Sequence, residues 1–280
     1  MNEKFLNNLL NSISVSGYEE QVQDIVTEEM KEYTDEIRRD EMQNLTCILN
    51  PENDVRIMLS AHADEIGLMI SNIREDGRLQ VIDRGGIVPA TYPGRQVRIK
   101  TKNGEVYGVV EACRDLFKEE NLGTKHFLID IGAKDREDAL KNVSLGDPIR
   151  KMTNGKFTAR ALDDRLGVYI IMEAIKRAKE LGCKVGVYGA STTGEETTKT
   201  GAFWTSTRIN PTLAIVVDVT YTSDCSGMNP AEMGTVLLGG GPVLCNSPIV
   251  VKTLNAKMEE CAKKVGIPVQ REAASRLSYT

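Results

Sequence analysis

Hydrophobic residues recur with two different spacings along this chain, and the spacing changes twice. Before about residue 66 and again after residue 156, apolar residues repeat at helical intervals or form short runs such as VRIMLSA, KVGVYGAS and TLAIVVDV. Continuous apolar runs of this length are typical of strands buried on both faces of a sheet. The alternation predicts an α/β fold, with a mixed sheet flanked by helices on both faces.

The middle of the chain, residues 67–155, has a different pattern that predicts a small β-rich domain. Asp76-Gly77 and Asn103-Gly104 are strong signals for hairpin turns between short strands such as QVRIK and VYGVV. Helical periodicity is weak there. We therefore expect an outer domain formed by residues 1–66 and 156–280, interrupted by an inserted, barrel-like domain of residues 67–155.

Local signals predict where several helices begin and end. Ser16 and Glu19 have the spacing of a capping box, so we expect them to open a helix. A long amphipathic helix follows residue 165 and should end at Gly182. Ser247-Pro248 should open another helix, which Gly266 ends, and the run IPVQREA predicts one more strand.

Charge and composition exclude several classes of protein. The 280 residues carry a formal net charge of −5, which argues against a general nucleic-acid or membrane-surface binder. The longest apolar runs fall short of the ~20 residues that span a bilayer. The amino terminus predicts an amphipathic helix rather than a signal peptide, and the six cysteines include no CxxC pair. We therefore expect a cytoplasmic protein.

A histidine and an aspartate stand two residues apart at the end of the first predicted buried strand. Residues two apart in an extended chain point the same way, so His62 and Asp64 should lie together. An aspartate beside a metal-ligating histidine commonly orients its ring. Taken alone, this short motif is more often a structural turn than a metal site.

Three further acidic positions follow predicted strands or precede predicted helices. In Asp163-Asp164 one carboxylate can cap the following helix, which leaves the other free to face a metal. Glu195 and Glu196 should point apart, so one can bind a metal while the other faces a water; a solvated loop pair is the alternative. Asp218 follows five apolar residues, where burial is costly unless the carboxylate is paired or metal-bound.

Together these positions predict a site for paired divalent ions. Such a site needs a bridging carboxylate, further ligands on each ion and a base for the reacting water. In an α/β sheet, groups beyond the carboxyl ends of the strands gather at one edge. The residues that can fill these roles are His62, Asp163, Glu195, Glu196 and Asp218.

The phrases AHADEIGLMI, ALDDRLG, TTGEE, VVDVT and LGGGPVL, in this order, resemble the M42 family of metallo-aminopeptidases, of the glutamyl and tetrahedral aminopeptidase type. The resemblance also covers IDRGG, PGRQV and IDIGA in the inserted stretch, and so spans essentially the whole chain. It implies a zinc-peptidase type of fold and a hydrolase that removes amino-terminal residues from peptides. It also implies two divalent ions, which can be zinc, cobalt or manganese.

The resemblance further implies a role for each site residue. His62 and Asp218 would bind one ion and Glu196 the other, with Asp163 bridging them. Glu195 would be the general base for the reacting water. Family members have a cis bond in the Asp-Asp pair, so we expect one here.

Two more roles are implied away from the ligands. Asp64 would be the partner that orients His62. Gly240 and Gly241 would let the backbone approach the peptide substrate, although a plain tight turn is an equal alternative. The inserted domain would serve dimerisation within a self-assembled dodecamer, and a smaller assembly such as a dimer is the other expectation.

The sequence departs from the family pattern at one ligand. Family members continue beyond this point and take a histidine from there, whereas this sequence has two histidines, His62 and His126. His126 lies in the inserted stretch, where a surface or partly buried histidine is expected. The sequence therefore predicts a truncated product with a weakened second ion and impaired activity.

Two alternative functions stay open from the sequence. One is a metal-poor, inactive remnant that binds peptides or acts through its oligomer interface. The other is an endoglucanase-like glycoside hydrolase that uses Glu195 and Glu196 as its acid pair. Adjacent glutamates that point apart suit this second chemistry badly, because both carboxyls must flank one bond.

Overall fold

A computed structural model describes residues 2–112, 116–151, 159, 161–223 and 230–274. The helices are α1 (Glu3–Asn11), α2 (Glu20–Met30), α3 (Arg136–Leu140), α4 (Leu162–Glu180), α5 (Thr200–Ile209), α6 (Pro230–Met233) and α7 (Lys252–Lys264). The strands are β1 (Glu36–Arg39), β2 (Leu45–Leu49), β3 (Arg56–His62), β4 (Gly67–Ile73), β5 (Leu79–Arg84), β6 (Gln96–Thr101), β7 (Gly104–Val110), β8 (Leu128–Asp130), β9 (Pro148–Lys151), β10 (Gly186–Thr192), β11 (Leu213–Val216), β12 (Val243–Asn246) and β13 (Gln270–Ala273).

A five-stranded mixed sheet with the order β1-β2-β10-β3-β11 organises the first compact unit, which ends at Asp218. Strand β3 pairs in parallel with β10 and β11, while β2 runs antiparallel to β1 and β10. The register places Thr192 opposite His62. The carboxyl ends of β3 and β10 are therefore level, and the residues that follow them meet at one edge of the sheet.

Helices cover both faces of this sheet, as the hydrophobic pattern predicts. On one face, α1, α2 and α4 pack over side chains of β2 and β3, and this core includes Phe5, Leu9, Val26, Leu45, Cys47, Ile171 and Ile175. On the other face, Ile209 of α5 packs with Ile48, Met58 and Tyr188. Along β2, Cys47 and Ile48 thus belong to opposite cores, which is the two-residue alternation of a strand.

Six strands between β4 and β9 close into a barrel with the order β4-β5-β8-β7-β6-β9. The Asp76-Gly77 turn joins β4 and β5, with the Gly77 amide 3.0 Å from the Arg74 carbonyl, and the Asn103-Gly104 turn joins β6 and β7. The side chains that fill the interior of the barrel are aliphatic and aromatic. The predicted domain border at 155/156 lies outside the described residues, so the two-domain division and its borders stay a prediction.

Strand β11 differs from its prediction as a buried strand. It lies at the edge of the five-stranded sheet, and its side chains alternate between half-buried and exposed positions. The apolar run AIVV resembles a central strand because it contains Ile and Val. Ile and Val are also common in edge strands. Because β11 is an edge strand, Val216 and Asp218 stay partly open to solvent.

The predicted capping box at Ser16 and Glu19 is wrong. Helix α2 begins at Glu20, and its N-cap residue, Glu19, makes no side-chain capping hydrogen bond. The hydroxyl of Ser16 instead donates to Asp64, 2.7 Å away. A long-range carboxylate, which sequence spacing cannot reveal, takes the hydroxyl that the local pattern assigned to a cap.

The second compact unit begins at Val219 and contains the parallel pair β12 and β13 with α6 and α7. The predicted strand IPVQREA is β13, and α7 begins four residues after Pro248 and is followed by Gly266. Gly240 closes a tight turn in this unit, with its amide 3.0 Å from the Leu237 carbonyl, and Gly241 follows this turn. A Cβ on Gly240 would meet the Gln270 side chain, and one on Gly241 would meet the Pro268 carbonyl. Their role in substrate binding stays a prediction.

None of the helices in the described part of the chain is both long and apolar enough to cross a membrane.

The close approach of α5 to the end of β10 generates a test of this packing. A Cβ at Gly201 would stand 2.1 Å from the carbonyl oxygen of Thr193. Alanine improves helix propensity by ~1 kcal/mol, but a clash with rigid backbone costs more, so we expect Gly201→Ala to lower the free energy of unfolding by ~1–3 kcal/mol. Denaturant unfolding measures this change. Gly123→Ala, where nothing lies within 4 Å, is the control and should stay within ~0.5 kcal/mol of wild type.

Candidate metal centre

The imidazole of His62 is the centre of a cluster of carboxylates. His62 is the last residue of β3 and is 1% exposed. Its Nε2 lies 2.9 Å from Asp163 Oδ1, 3.9 Å from Glu195 Oε2 and 3.9 Å from Asp218 Oδ1. The structure therefore brings the predicted residues from three separate sequence motifs to one side of a single ring.

Asp64 lies on the other side of the same ring and has no exposed surface. Its Oδ1 is 3.4 Å from Nδ1 of His62, and it accepts hydrogen bonds from the backbone amides of Glu195 and Glu196. Burial acts to raise the pKa of Asp64, but the contacts with His62 and Ser16 outweigh it and hold the pKa below its usual value. Asp64 is therefore a buried anion joined to β3 and to the loop after β10.

The two adjacent aspartates have different contacts, as the sequence predicts: one binds the first turn of the helix and the other faces His62. Asp164 Oδ1 accepts from the Gly167 amide in the first turn of α4, and Asp164 Oδ2 accepts from the His62 amide. Asp163 extends toward His62 and its side chain is 54% exposed. The bond between the two aspartates is cis, which confirms that prediction.

Glu195 and Glu196 point to different partners. Glu195 Oε1 pairs with Nζ of Lys199 at 2.6 Å, while its Oε2 faces His62. Glu196 instead comes together with His62 and Asp163. Residues 195–198 form a turn rather than the extended chain that the sequence suggested, and this turn places two carboxylates near His62.

Arg165 does not supply the cluster with a direct charge partner, although it follows the two aspartates. Its guanidinium is fully buried and donates to the carbonyls of Leu9 and Ala63, at 2.5 and 2.7 Å, and also contacts Glu65 at 3.4 Å. Burial lowers the pKa of Arg165 to about 9. The residue fixes the start of α4 against α1 and the end of β3.

Crowded carboxylates raise the proton affinity of the site. Burial, and then the charge of Asp218, raise the pKa of Asp164 to about 8. Burial, and then Asp163, raise the pKa of Glu196 to about 7. Burial acts to lower the pKa of His62, but the carboxylates of Asp163 and Asp64 outweigh it and raise the pKa to about 11. The cluster retains protons because it has more negative groups than cations.

These residues fit a divalent metal. Two groups in the described chain have ligand atoms within 4.8 Å of one another: His62 with Asp163 and Glu196, and His62 with Asp164 and Asp218. One imidazole with carboxylates is a donor set that suits zinc, cobalt and manganese. A divalent cation would also supply the positive charge that the cluster otherwise takes up as protons.

Sequence reasoning missed several residues that build this site. Ser16, Thr197 and Lys199 contact Asp64, Ser16 and Glu195 respectively. Lys199 stands four residues after Glu195, a spacing that could have suggested a pair in a helix. The two hydroxyl contacts had no sequence signal, because they join residues that are 48 and 181 positions apart.

The second histidine lies elsewhere, as predicted. His126 is the last residue of the short 3-10 turn Thr124–His126 in the barrel region, and its Nδ1 accepts from the Gly123 amide at 3.2 Å. Its side chain is partly buried, with Nε2 3.9 Å from Glu119. His126 is thus occupied by local contacts.

Comparison with known proteins decides the family of this chain. The sequence profile of the M42 glutamyl aminopeptidase family matches residues 44–278. The chain belongs to this family. A protein of Acetivibrio thermocellus is 36% identical over 93% of this chain and 78% of its own length. The lysyl aminopeptidase of Pyrococcus furiosus is 30% identical over 99% of this chain and 82% of its own length.

Solved structures give the same assignment. The TET1 peptidase of Pyrococcus horikoshii, which assembles into a tetrahedron or a large octahedral shell, superposes with a TM-score of 0.86 and 31% identity. The match covers 97% of this chain and 84% of that one. The M42 resemblance read from the sequence motifs and the predicted α/β fold are therefore confirmed, and this chain is by family an aminopeptidase.

The proton-loaded state of the M42 site leads to a prediction about metal binding and pH. An ion that takes Nε2 of His62 must displace its proton, since the pKa of about 11 keeps the free ring charged throughout the neutral range. Affinity should therefore rise with pH, by ~10-fold per unit for each proton released. Titration with Co²⁺ between pH 6 and 8 measures this.

The two histidines provide the matched control for that titration. His126→Gln should keep the wild-type pH dependence, while His62→Gln should bind Co²⁺ far more weakly at every pH. An affinity that does not change between pH 6 and 8 would contradict the assignment of His62 as a ligand.

Proposed function

We propose that this M42 chain is a metal-dependent aminopeptidase that removes amino-terminal residues from peptides. In this proposal His62, Asp163, Glu196 and Asp218 hold two divalent ions, and Glu195 is the general base. The observation that carries it is the position of His62 Nε2, which faces carboxylates from three motifs within 2.9–3.9 Å. When bound, the ions would activate a water and polarise the peptide carbonyl.

Glu195 is suited to proton transfer by its position. Its side chain is largely buried, with Oε2 directed to the His62 side and Oε1 held by Lys199. A carboxylate that is oriented by a cation and kept from bulk water can take a proton from a nearby water and later give it to the departing amine. The contact with Lys199 at Oε1 would hold the Glu195 carboxylate in place, so that Oε2 stays directed toward the His62 side of the site.

The exposed carboxylates of the cluster favour substrates with a free amino terminus. Asp163 is half exposed and Asp218 is partly exposed, so the negative side of the cluster is open to solvent. A protonated α-amino group is attracted to such a surface, while a blocked terminus is not. This supports cleavage that begins at the end of the peptide.

The two ions would not be equivalent. Both candidate groups share His62, and one imidazole nitrogen can bind only one ion, so among the described residues the other ion lacks a histidine ligand. The ion without the ring has carboxylates alone, and its affinity should be lower. We therefore propose one tight and one weaker site, occupied by zinc, cobalt or manganese.

Adjacent isosteric substitutions separate the roles of the two glutamates. Glu196→Gln should lower the Co²⁺ content per chain, because it removes a ligand, and lower hydrolysis with it. Glu195→Gln should retain the Co²⁺ content while hydrolysis of an amino-acid p-nitroanilide falls by ~10²–10⁴-fold, the contribution of a general base. Elemental analysis and initial rates measure the two quantities.

Chelation and a blocked peptide complete this test. Removal of metal should abolish hydrolysis, added Co²⁺ should restore it, and an N-acetylated peptide should stay intact. Wild-type protein that binds no ion at saturating Co²⁺ would contradict the proposal. Metal-independent cleavage of a β-glucan would instead favour the glycoside hydrolase.

We also propose that the chain self-associates. A related solved structure, PhTET1-12s, is a dodecamer, and its match with this chain covers 100% of this chain at 30% identity. On the outer surface of the barrel, Tyr107 and Val109 of β7 are 57% and 42% exposed. Neighbouring apolar side chains on one strand are common in protein interfaces. The barrel is therefore the part that we propose for dimerisation.

Light scattering after size exclusion should give the mass of a multiple of the 30.9 kDa chain, up to a dodecamer. Replacing Tyr107 and Val109 by Asp should reduce that mass, because buried charges oppose association. Leu181→Asp, at an exposed position outside the barrel, is the control and should leave the mass unchanged. A wild-type monomer would contradict self-association, and unchanged assembly of the double variant would contradict this interface.

A further inference from the structure

Ser16 lies between α1 and α2, far in sequence from every proposed ligand, yet it contacts the core of the site. Its hydroxyl is 2.7 Å from Oδ2 of Asp64 and 2.9 Å from Oγ1 of Thr197. Ser16 and Asp64 are both buried. One serine hydroxyl therefore connects the partner of His62 to the loop that carries Glu195 and Glu196.

The direction of these two hydrogen bonds follows from the number of protons. An ionised carboxylate accepts only, so Ser16 must donate its single proton to Asp64. Ser16 can then contact Thr197 only as an acceptor, and the Thr197 hydroxyl donates. The result is a directed chain from Thr197 through Ser16 to Asp64, and Asp64 in turn faces Nδ1 of His62.

Ser16 is held firmly enough to orient its partners. Its amide donates to the Glu65 carbonyl at 3.2 Å, the Glu65 amide donates to the Ser14 carbonyl at 3.0 Å, and Val15 forms a parallel bridge with Glu65. These backbone contacts tie residues 14–16 to the chain just after β3. A serine fixed by its own backbone loses little further entropy when its hydroxyl binds.

A second contact joins the segment before α2 to the loop after β10. Glu19 is buried, and its Oε1 accepts from the amides of Gly17 and Gly194, at 2.9 and 3.3 Å. Gly17 has φ +94°, a backbone conformation that glycine adopts without strain. Gly194 immediately precedes Glu195. The segment therefore contacts the catalytic loop on both sides of the Glu195-Glu196 dipeptide.

We propose that Ser16 and Thr197 are positioning residues of the aminopeptidase site. They hold Asp64 and the Glu195-Glu196 loop in register with His62, and so set metal affinity and the placement of the general base. The inference rests on the proposed function for its catalytic consequence. Its structural content, the connection from Thr197 to Asp64, stands independently of activity.

The expected loss of metal affinity and activity in a Ser16 variant can be estimated from other proteins, in which comparable groups orient a metal ligand without touching the metal. Loss of such a partner typically weakens metal binding or activity by ~10–100-fold. Ser16→Ala removes both contacts of the hydroxyl and should have an effect of that size on Co²⁺ affinity and on kcat, with KM little changed. Thr197→Val removes only the outer contact, so its effect should be smaller.

Two pairs of matched variants separate positioning from general destabilisation. Ser191→Ala makes the same change at another buried serine, whose hydroxyl has no hydrogen-bond partner in the structure. Thr197→Ser keeps the hydroxyl that Thr197→Val loses, at an exposed position that tolerates both. The double variant Ser16→Ala with Thr197→Val should be no worse than Ser16→Ala alone, since both act through one chain of contacts.

Amide hydrogen exchange gives a readout that needs neither metal nor turnover. The Glu195 and Glu196 amides donate to Asp64, so Ser16→Ala should speed their exchange by ~10-fold through easier local opening, while Ser191→Ala should not. Co²⁺ affinity and kcat are measured on the same variants.

The outcomes separate this inference from the proposed function. If Ser16→Ala matches Ser191→Ala in exchange, Co²⁺ affinity and kcat, the positioning role is overturned while the aminopeptidase assignment stands. If wild-type protein binds no Co²⁺ and cleaves no peptide, the proposed function fails. In that case faster exchange in Ser16→Ala still supports the connection, and unchanged exchange overturns it as well.

Discussion

A carboxylate with no exposed surface is costly unless donors surround it, and Asp64 obtains its donors from several distant parts of the chain. Ser16 contributes a hydroxyl from the segment before α2, and Glu195 and Glu196 contribute amides from the loop after β10. The Nδ1 atom of His62, at the end of β3, lies 3.4 Å from the same carboxylate. Satisfying this one anion therefore fixes the relative positions of three segments, and Nε2 of His62 is left to face the remaining carboxylates.

Those remaining carboxylates create the second constraint, which is an excess of negative charge. Asp163, Asp164, Glu196 and Asp218 share a small volume, and Arg165 donates to the backbone carbonyls of Leu9 and Ala63 rather than to them. The raised pKa values of Asp164 and Glu196 show that the cluster takes up protons when no other cation is bound. A divalent ion bound at this cluster, as proposed, would replace those protons, and its binding would therefore depend on pH.

Much of the fold was accessible to pattern analysis because burial imposes periodicity. The strand VRIMLSA, the long helix that begins beside Asp163 and both hairpin turns of the barrel lie where the sequence predicts them. The edge position of β11 was missed, since Ile and Val favour central and edge strands alike. Ser16 was assigned to a helix cap, because local spacing favours that role and nothing in the spacing indicates a partner at Asp64.

The sequence by itself determined the chemistry of this protein: which side chains carry imidazole or carboxylate groups, and that they stand beside strand ends and helix starts. Those motifs also sufficed for its family. Only the tertiary structure decided which groups meet: that Asp164 caps α4 while Asp163 reaches His62, and that Ser16 and Thr197 stabilise Asp64. The physical reason is the distance along the sequence between the residues that interact. Helix and strand periods are set by neighbours a few residues apart, whereas the donors of the buried Asp64 carboxylate come from residues that are 48 to 132 positions away in the sequence.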